Sequence, residues 1–250
     1  MLFKGKTVVV TGAGAGMGRA ASRRFAEEGA SLVVNSLSES ADRVCEELKA
    51  AGYPAVFVKA DVSDMDGAEK VIEAAVNNFG GIDVLVNTAG VVASGSVEAC
   101  DEETWDYSMK VNVRSVYCTS HLALPYLRKS RGVIVNITST VAIKGVVNRA
   151  VYSASKGAIL SLSRSMAAEY IGEGVRVNCV CPGTVETESF RRRVATAADP
   201  EQAMKDFVSR QPMGRLGTPE ELAETILFAA RPDVSFMSGA NLVVDGGMTI

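Results

Sequence analysis

Tyr152 is followed four residues later by Lys156 and preceded thirteen residues earlier by Ser139. The first two are residue types that move a proton, and their spacing lets them meet. At 3.6 residues per turn, positions four apart lie only about 40° apart around a helix, so the phenol and the ammonium share one face. A free phenol titrates near 10, and each unit of depression represents about 1.4 kcal/mol of preference for the phenolate. Bringing Tyr152 towards neutrality therefore takes roughly 3 to 4 kcal/mol from nearby positive charge. Lys156 is one such charge, and a cationic ring in a bound ligand would be a second. A phenol tuned in this way gives a proton to a carbonyl oxygen or takes one from a hydroxyl. By itself the spacing more often marks a solvated helix face, so the elements around it have to decide.

Short β-branched runs alternate with longer amphipathic stretches, the rhythm of βαβ units around a parallel sheet. Strands are expected at Thr7 to Val10, Leu32 to Val34, Ala55 to Val58, Val84 to Val86, Val133 to Ile137, Arg176 to Val180 and Leu242 to Val244. Their near-continuous Val, Ile and Leu content predicts burial on both faces. Helices are expected around Arg19 to Glu28, Ala41 to Ala50, Asp66 to Asn78, Glu102 to Lys129, Val151 to Tyr170 and Glu220 to Ala229. This gives seven strands with helices on both faces and no internal linker, hence a single domain over residues 1–250. Only residues 184–216, which include FRRRVATAADPEQ and QPMGRLG, read as irregular. An insertion of that length after a buried strand is expected to be a mobile substrate lid.

The first strand runs into Thr11, Gly12, Ala13, Gly14, Ala15, Gly16, Met17 and Gly18, and a helix follows near Arg19. The run fails GxGxxG but fits GxxxGxG through Gly12, Gly16 and Gly18. Glycines between a first strand and a first helix permit a tight turn and let the backbone approach a pyrophosphate, whose charge the helix N-terminus stabilises. A Rossmann-type doubly wound α/β domain that binds a dinucleotide is the expectation.

TGAGAGMG, the NTAG at Asn87 to Gly90, Ser139, the YSASK at Tyr152 to Lys156 and the Pro182-Gly183 pair follow one another in an order that resembles the classical short-chain dehydrogenases/reductases. The resemblance spans essentially the whole chain. It implies that Tyr152 is the catalytic acid/base, that Lys156 lowers its pKa and holds the nicotinamide ribose, and that Ser139 hydrogen-bonds the substrate oxygen. Asn112, in Val111-Asn112-Val113, matches the family's asparagine that holds a water relay behind the lysine. Cofactor contacts carry over to Gly12, Gly14, Ala15, Gly16, Met17, Gly18 and Ser36, to Asp61 and Val62 at the adenine, and to Asn87, Ala89 and Gly90. Pro182, Gly183, Val185 and Thr187 fall around the carboxamide, and Tyr152 and Lys156 also face the cofactor. Where the family usually has Asn-Asn-Ala-Gly this chain has Thr88 at the second place, and Asn87 can equally be a structural brace.

An acidic residue ending the second strand would bind the adenosine ribose and repel a 2′-phosphate. Ser36 stands there instead, with Leu37 where a basic phosphate ligand often follows and Ala15 in the glycine loop. The hydroxyls of Ser36 and Ser38, the amide of Asn35 and a nearby Arg19 favour NADP(H), with Glu39 able to reach back and reverse the preference towards NAD. Val91, Val92, Val141, Ile143, Val146 and Val147 suggest a ketone or secondary alcohol with hydrophobic portions. Arg191-Arg192-Arg193 reads either as a solvated helix face or as a grip for an anionic tail. Within the family the chain looks like bacterial 3-oxoacyl-carrier-protein reductases and sugar or polyol dehydrogenases. For a 3-oxoacyl thioester reductase, Glu173 stands where a basic docking residue is expected, while Lys129 and Arg131 lie nearby. A nucleotide-binding sensor without turnover commonly loses Tyr or Lys, and here both are present.

With 26 basic and 29 acidic residues the net charge is −3, and no long basic run marks a nucleic-acid partner. No apolar stretch reaches the roughly 20 residues of a membrane span. Five scattered cysteines, Cys45, Cys100, Cys118, Cys179 and Cys181, without CxxC spacing, suit a reduced, cytoplasmic protein with no metal site. Cys179 and Cys181 read as small core side chains. His121 lies away from every motif, and Trp105 reads as packing, at a subunit contact. The family resemblance implies a symmetric homotetramer through the helices carrying Asn112 and Tyr152, with the apolar segment Met248 to Ile250 at an interface.

Overall fold

The structure is a computed structural model that describes residues 1–250. Seven strands, β1 (Thr7–Thr11), β2 (Ser31–Ser36), β3 (Ala55–Lys59), β4 (Val84–Asn87), β5 (Val133–Ile137), β6 (Arg176–Pro182) and β7 (Asn241–Val244), pair in parallel in the order β3-β2-β1-β4-β5-β6-β7. Because side chains alternate along a strand, the valine run of β1 serves two cores. Val8 and Val10 join Phe25 of α1 (Gly16–Glu27), Val44 of α2 (Ser40–Ala50) and Leu222 and Ile226 of α9 (Pro219–Ala230). Val9, Leu85 and Ile134 point the other way, onto Val71 and Ile72 of α3 (Met65–Phe79), Leu127 of α5 (Ser115–Ser130) and Met166 of α6 (Ala150–Tyr170). Each fully buried Ile or Leu in these layers contributes about 1.5–3 kcal/mol of transfer free energy. The doubly wound sheet with helices on both faces is the expected architecture.

Local chemistry fixes where the helices start. Asp64 accepts the Gly67 N–H (2.7 Å) as the N-cap of α3, and Thr218 and Glu221 form a reciprocal capping box on α9. A buried polar brace ties the centre of the sheet to the helices over it. Asn87 Nδ2 donates to Asn136 Oδ1 (2.9 Å), Thr119 Oγ1 donates to Asn87 Oδ1 (2.9 Å), and Asn136 Nδ2 donates to Ser163 Oγ (2.8 Å). Asn87 is therefore a brace between β4, β5 and α5. These bonds use one of its two amide hydrogens and one lone pair of its carbonyl oxygen. Thr88 replaces the lost amide by donating its hydroxyl to the Thr11 carbonyl, which holds the loops after β1 and β4 together.

Two expectations change. The helix expected from Glu102 to Lys129 is interrupted: α4 (Glu102–Met109) passes through one π-helical turn, Lys110–Arg114, before α5. The inserted turn centres on Asn112, whose buried side chain bonds both backbone groups of Val91. The Val91 N–H donates to Oδ1 (2.7 Å), and Nδ2 donates to the Val91 carbonyl (3.0 Å). The stretch 184–216 is not irregular throughout, because it contains α7 (Glu188–Ala195) and α8 (Pro200–Ser209), each started by a side-chain cap from Thr187 and Asp199. Phe190 and Phe207 pack edge to face between these helices, 5.0 Å apart. The cysteines are all unpaired, and Cys179 and Cys181 are core side chains of β6, as expected. No helix is long and apolar enough to cross a membrane.

Candidate active site

The order of the strands reverses between β1 and β4, so the loops that leave their C-terminal ends part and open a crevice there. The glycine turn forms one wall. Gly16 has φ +51°, which a side chain would resist, and its N–H donates to Glu188 Oε2 (3.0 Å) at the first turn of α1. A Cβ on Gly18 would stand 2.5 Å from both the Gly12 carbonyl oxygen and Thr88 Oγ1, so the turn can close only with glycine there. Glu188 also pairs with Arg19 (2.7 Å). Burial pushes the Glu188 carboxyl up, but its own backbone N–H, that of Gly16 and then Arg19 outweigh it and hold the group below the usual range. The cradle thus already accommodates an anion, and the residues fit a pyrophosphate. Gly12, Gly14 and the exposed Ala15 form the turn with Gly16 and Gly18, and Met17 reaches into the cleft.

At the other end of the crevice Ser36 closes β2. Its hydroxyl accepts the Ala41 N–H (3.2 Å) and joins Ser38 and Ser40 in a cluster of three hydroxyls. Glu39 does not reach back to it, because Lys59 holds its carboxylate at 2.6 Å. Arg19 is likewise drawn to Glu188 rather than to this cluster. Asp61 accepts from the backbone and hydroxyl of Ser63 (2.9 and 2.6 Å) and faces Lys110 at 3.7 Å, beside the buried Val62. Burial raises the Asp61 pKa, and Ser63 and Lys110 more than reverse it.

α6 and the end of β5 bring Tyr152, Lys156 and Ser139 to one wall, with Asn112 behind them. Lys156 Nζ lies 5.8 Å from the Tyr152 ring centre, as the shared helix face predicts, but it donates to the Ile137 carbonyl (2.8 Å). Burial holds the Lys156 ammonium down to about 8. Burial likewise raises Tyr152 above the ordinary phenol value, opposed by the hydroxyl of Ser139 and then by Arg193 and Arg149. In the free protein the Lys156 ammonium is turned to a carbonyl, and the groups that oppose the rise are a serine and two arginines. Ser139 Oγ accepts from the Val141 N–H (3.5 Å), which leaves its proton free for an oxygen in the cleft. Asn112 Nδ2 donates to Ser155 Oγ (2.9 Å), which in turn donates to the Tyr152 carbonyl (2.8 Å). Ser155 was not singled out from the sequence, although its place inside YSASK put it one turn from Tyr152.

The cleft in front of these groups has a volume of about 210 Å³. Gly90, Pro182, Gly183, Val185 and Thr187 line it on the side of the glycine turn, while Ala89 packs beneath, against the core. Val91, Val92, Val141 and Val146 line it as expected; Ile143 and Val147 do not and are exposed on the loop outside, Val147 by 84%. Met248 is not at a surface available to a partner: it is buried and lines the cleft, held by Lys144 on its carbonyl. Of the arginine run, Arg191 pairs with Glu186 (3.2 Å) and Arg192 is exposed, whereas Arg193 turns inward beside Phe190 and Phe207. Arg149 and Arg210 join it, neither with any motif to announce it. Glu173 is held by Arg128, so the end of α6 offers no free basic group for a carrier protein at that position. His121 stacks on Tyr117 (5.7 Å) on the outer face of α5, far from this wall, and no metal-holding cluster exists.

The model of a family described as enoyl-(acyl carrier protein) reductase matches residues 12–249. An uncharacterized oxidoreductase of Thermotoga maritima is 43% identical over 251 residues, covering 100% of this chain and 99% of its own. Dehydrogenase/reductase SDR family member 6 of Danio rerio is 42% identical over 97% of both chains. A crystal structure of a putative short-chain dehydrogenase/reductase from Burkholderia xenovorans superposes with a TM-score of 0.94 at 33% identity, over 99% of this chain and 97% of that one. The motifs, the sheet order and these likenesses agree, and the chain belongs to the short-chain dehydrogenase/reductase family, NAD(P)-dependent oxidoreductases that interconvert secondary alcohols and ketones.

Proposed function

We propose that Tyr152 is the acid/base of this reaction, that Ser139 holds the substrate oxygen, and that Lys156 and Asn112 support the phenol from behind. One observation carries this assignment: Tyr152 sits in a desolvated wall where the groups acting on its hydroxyl are a serine hydroxyl and cations, and where no carboxylate lines the cleft. The bound nicotinamide dinucleotide supplies or accepts the hydride and, when oxidised, a cationic ring. During reduction Tyr152 gives its proton to the carbonyl oxygen while Ser139 donates a hydrogen bond to the same atom; oxidation runs the steps backwards. Lys156 has its Nζ on the Ile137 carbonyl and is within reach of Gly90, which suits it to bind ribose hydroxyls and bring its charge towards the phenol. Asn112 spends its side chain on Val91 and Ser155, so its part in a proton relay falls to its backbone carbonyl and to holding the π turn. Tyr152→Phe should reduce kcat by roughly a thousandfold or more while cofactor affinity changes less than about twofold. Retained turnover in that variant overturns the assignment.

For the cofactor, the proposal is NADP(H). The cluster of Ser36, Ser38 and Ser40 offers hydroxyls to a 2′-phosphate, and the carboxylate of Glu39 is neutralised by Lys59. Equal-concentration turnover with the two dinucleotides tests it; a preference for NAD reverses it. Residues 184–216, with α7 and α8 over the cleft, are proposed as the substrate lid of a single domain spanning residues 1–250. A cytoplasmic homotetramer is the proposed assembly, supported by unpaired cysteines and by Trp105, Tyr107 and Tyr117 exposed along α4 and α5. Sedimentation as a monomer would reject it.

A further inference from the structure

Four cations and no carboxylate line the cleft: Lys156, Arg149, Arg193 and Arg210. The three arginines come from separate elements, Arg149 from the N-cap of α6, Arg193 from α7 and Arg210 from the C-cap of α8. None of them takes part in an ion pair, although the other two arginines of the 191–193 run lie on the same helix and Arg191 finds Glu186. Arg193 lies between two rings, with its guanidinium carbon 5.6 Å from the centres of both Phe190 and Phe207. Its Nε is buried and has no hydrogen-bond partner. Arg210 stacks on Phe207 at 4.4 Å. Arg149 donates only to neutral oxygens, Ser94 Oγ at 3.3 Å and the Asn148 carbonyl. Burial and mutual repulsion weaken the hold of these groups on their protons: Arg193 and Arg210 both depress Arg149.

Three like charges gathered in a half-buried cleft with no carboxylate in its lining, and only Asp206 acting on Arg210 from one helical turn away, are costly to hold, and an unpaired buried donor adds to that cost. The aromatic faces fix the guanidinium planes but do not supply negative charge. The missing partner is an anion from outside that presents two or more oxygens in a plane, for which guanidinium is the matched donor. We propose that the substrate of this enzyme is a short hydroxy or oxo acid, whose carboxylate is bound by Arg149, Arg193 and Arg210 while its carbinol or keto carbon faces Tyr152 and Ser139. This rests on the alcohol–ketone chemistry assigned to Tyr152. The carboxylate takes no part in bond changes. In oxidation the carbinol hydrogen leaves as hydride to the oxidised dinucleotide, the hydroxyl proton passes to Tyr152, and a C=O bond forms. Val91, Val141 and Val146 line the same cleft and offer apolar contact to the hydrocarbon part of an acid of about three to six carbons.

The test is a series of 2-, 3- and 4-hydroxy acids of that length, each with its methyl ester, assayed at saturating dinucleotide. For the best acid, kcat/KM should exceed that of its ester by roughly 50-fold, and Arg193→Met should bring that ratio close to one. Equal rates on acid and ester, or an unchanged ratio in the variant, overturns the proposal. So does preference for a phosphate monoester such as glycerol 3-phosphate. Calorimetric titration of the same acids into the Tyr152→Phe protein loaded with dinucleotide separates this from the redox assignment. Acid binding that disappears when Arg193→Met is added upholds the carboxylate site, even where Tyr152 proves not to be the acid/base. Turnover of neutral alcohols with no binding of any acid rejects the carboxylate site and leaves the oxidoreductase chemistry in place.

Discussion

Arg176 and Arg193 are both desolvated arginines without a carboxylate partner, yet the protein treats them in opposite ways. Arg176 begins β6 at 7% exposure and donates to four carbonyls: those of Ala229 (3.4 Å), Ala230 (3.4 Å), Arg231 (3.0 Å) and Met237 (3.1 Å). Three of the four belong to the C-terminal end of α9, where the helix macrodipole is negative and carbonyls have no intrahelical partner. The charge and the helix end satisfy each other. Arg193 has two aromatic faces, a buried Nε with no acceptor, and two further guanidiniums as neighbours. A closed shell of acceptors identifies an arginine that the fold needs; an open one identifies an arginine that waits for a ligand. The desolvation cost is common to both, so it cannot distinguish them.

The largest effect expected from this contrast is on stability. Arg176→Met strips the end of α9 of its donor and leaves buried carbonyls short of partners, costing on the order of 3 kcal/mol. Arg193→Met removes an unpaired charge and replaces it with an apolar chain between two rings, so the free protein should be as stable or more stable. Urea denaturation of both variants checks the pair. An Arg193→Met protein destabilised as much as Arg176→Met would erase the distinction between the two regions.

Lys156 is the intermediate case, a buried cation with a single carbonyl acceptor and a pKa held down to about 8 from the ordinary 10.5. The unfolded chain then binds the proton more tightly than the folded one. The unfavourable contribution is fully present below about pH 8 and is relieved as pH rises from there towards 10.5. From pH 7.5 to 9.5 this group alone should raise the stability of the cofactor-free protein by about 2 kcal/mol. Denaturation midpoints for wild type and Lys156→Met across that range provide the check, and the difference between the two should carry the slope. Parallel curves would mean that the ammonium is better solvated than its surroundings imply.

The same contrast explains what the sequence could and could not show. The strands and the glycine turn are carried by local signals: valine runs such as Val8 to Val10, and glycines at places where a Cβ would collide. The shared face of Tyr152 and Lys156 is also local, being one helical turn. The state of the phenol is not, because it depends on where Lys156 sends its proton and on Arg149 and Arg193, and only the fold sets those distances. Arg193 lies in a run whose other members face solvent, and Arg210 lies more than twenty residues beyond the last motif, Pro182-Gly183; side-chain direction on α7 and α8 decides their part. The π turn at Asn112 is equally silent in sequence, since KVNVR continues the helical pattern and only the pairing with Val91 forces the extra residue. Of the segment Met248 to Ile250, Met248 is a wall of the cleft while Ile250 is exposed.

Glu188 reverses the sign of the comparison. Where the arginines are cations without an anion, Glu188 is an anion placed in the pyrophosphate cradle, taking the Gly16 N–H at 3.0 Å and Arg19 at 2.7 Å. It is also the first residue of α7, the helix that carries Arg193. A pyrophosphate bound at the glycine turn, as proposed, would have use for the same donor as this carboxylate and would compete with Glu188 at the start of α7. Glu188→Gln keeps the shape and removes the charge. It should strengthen dinucleotide binding about two- to fivefold at low ionic strength, the scale of one partly exposed charge at a helix N-terminus. The gain should shrink as salt is added, because the competing attraction is screened. Fluorescence titration with the reduced dinucleotide at two salt concentrations measures it. Unchanged affinity would show that Glu188 moves aside at no cost, and α7 would then respond to the acid in the cleft alone, not to the cofactor.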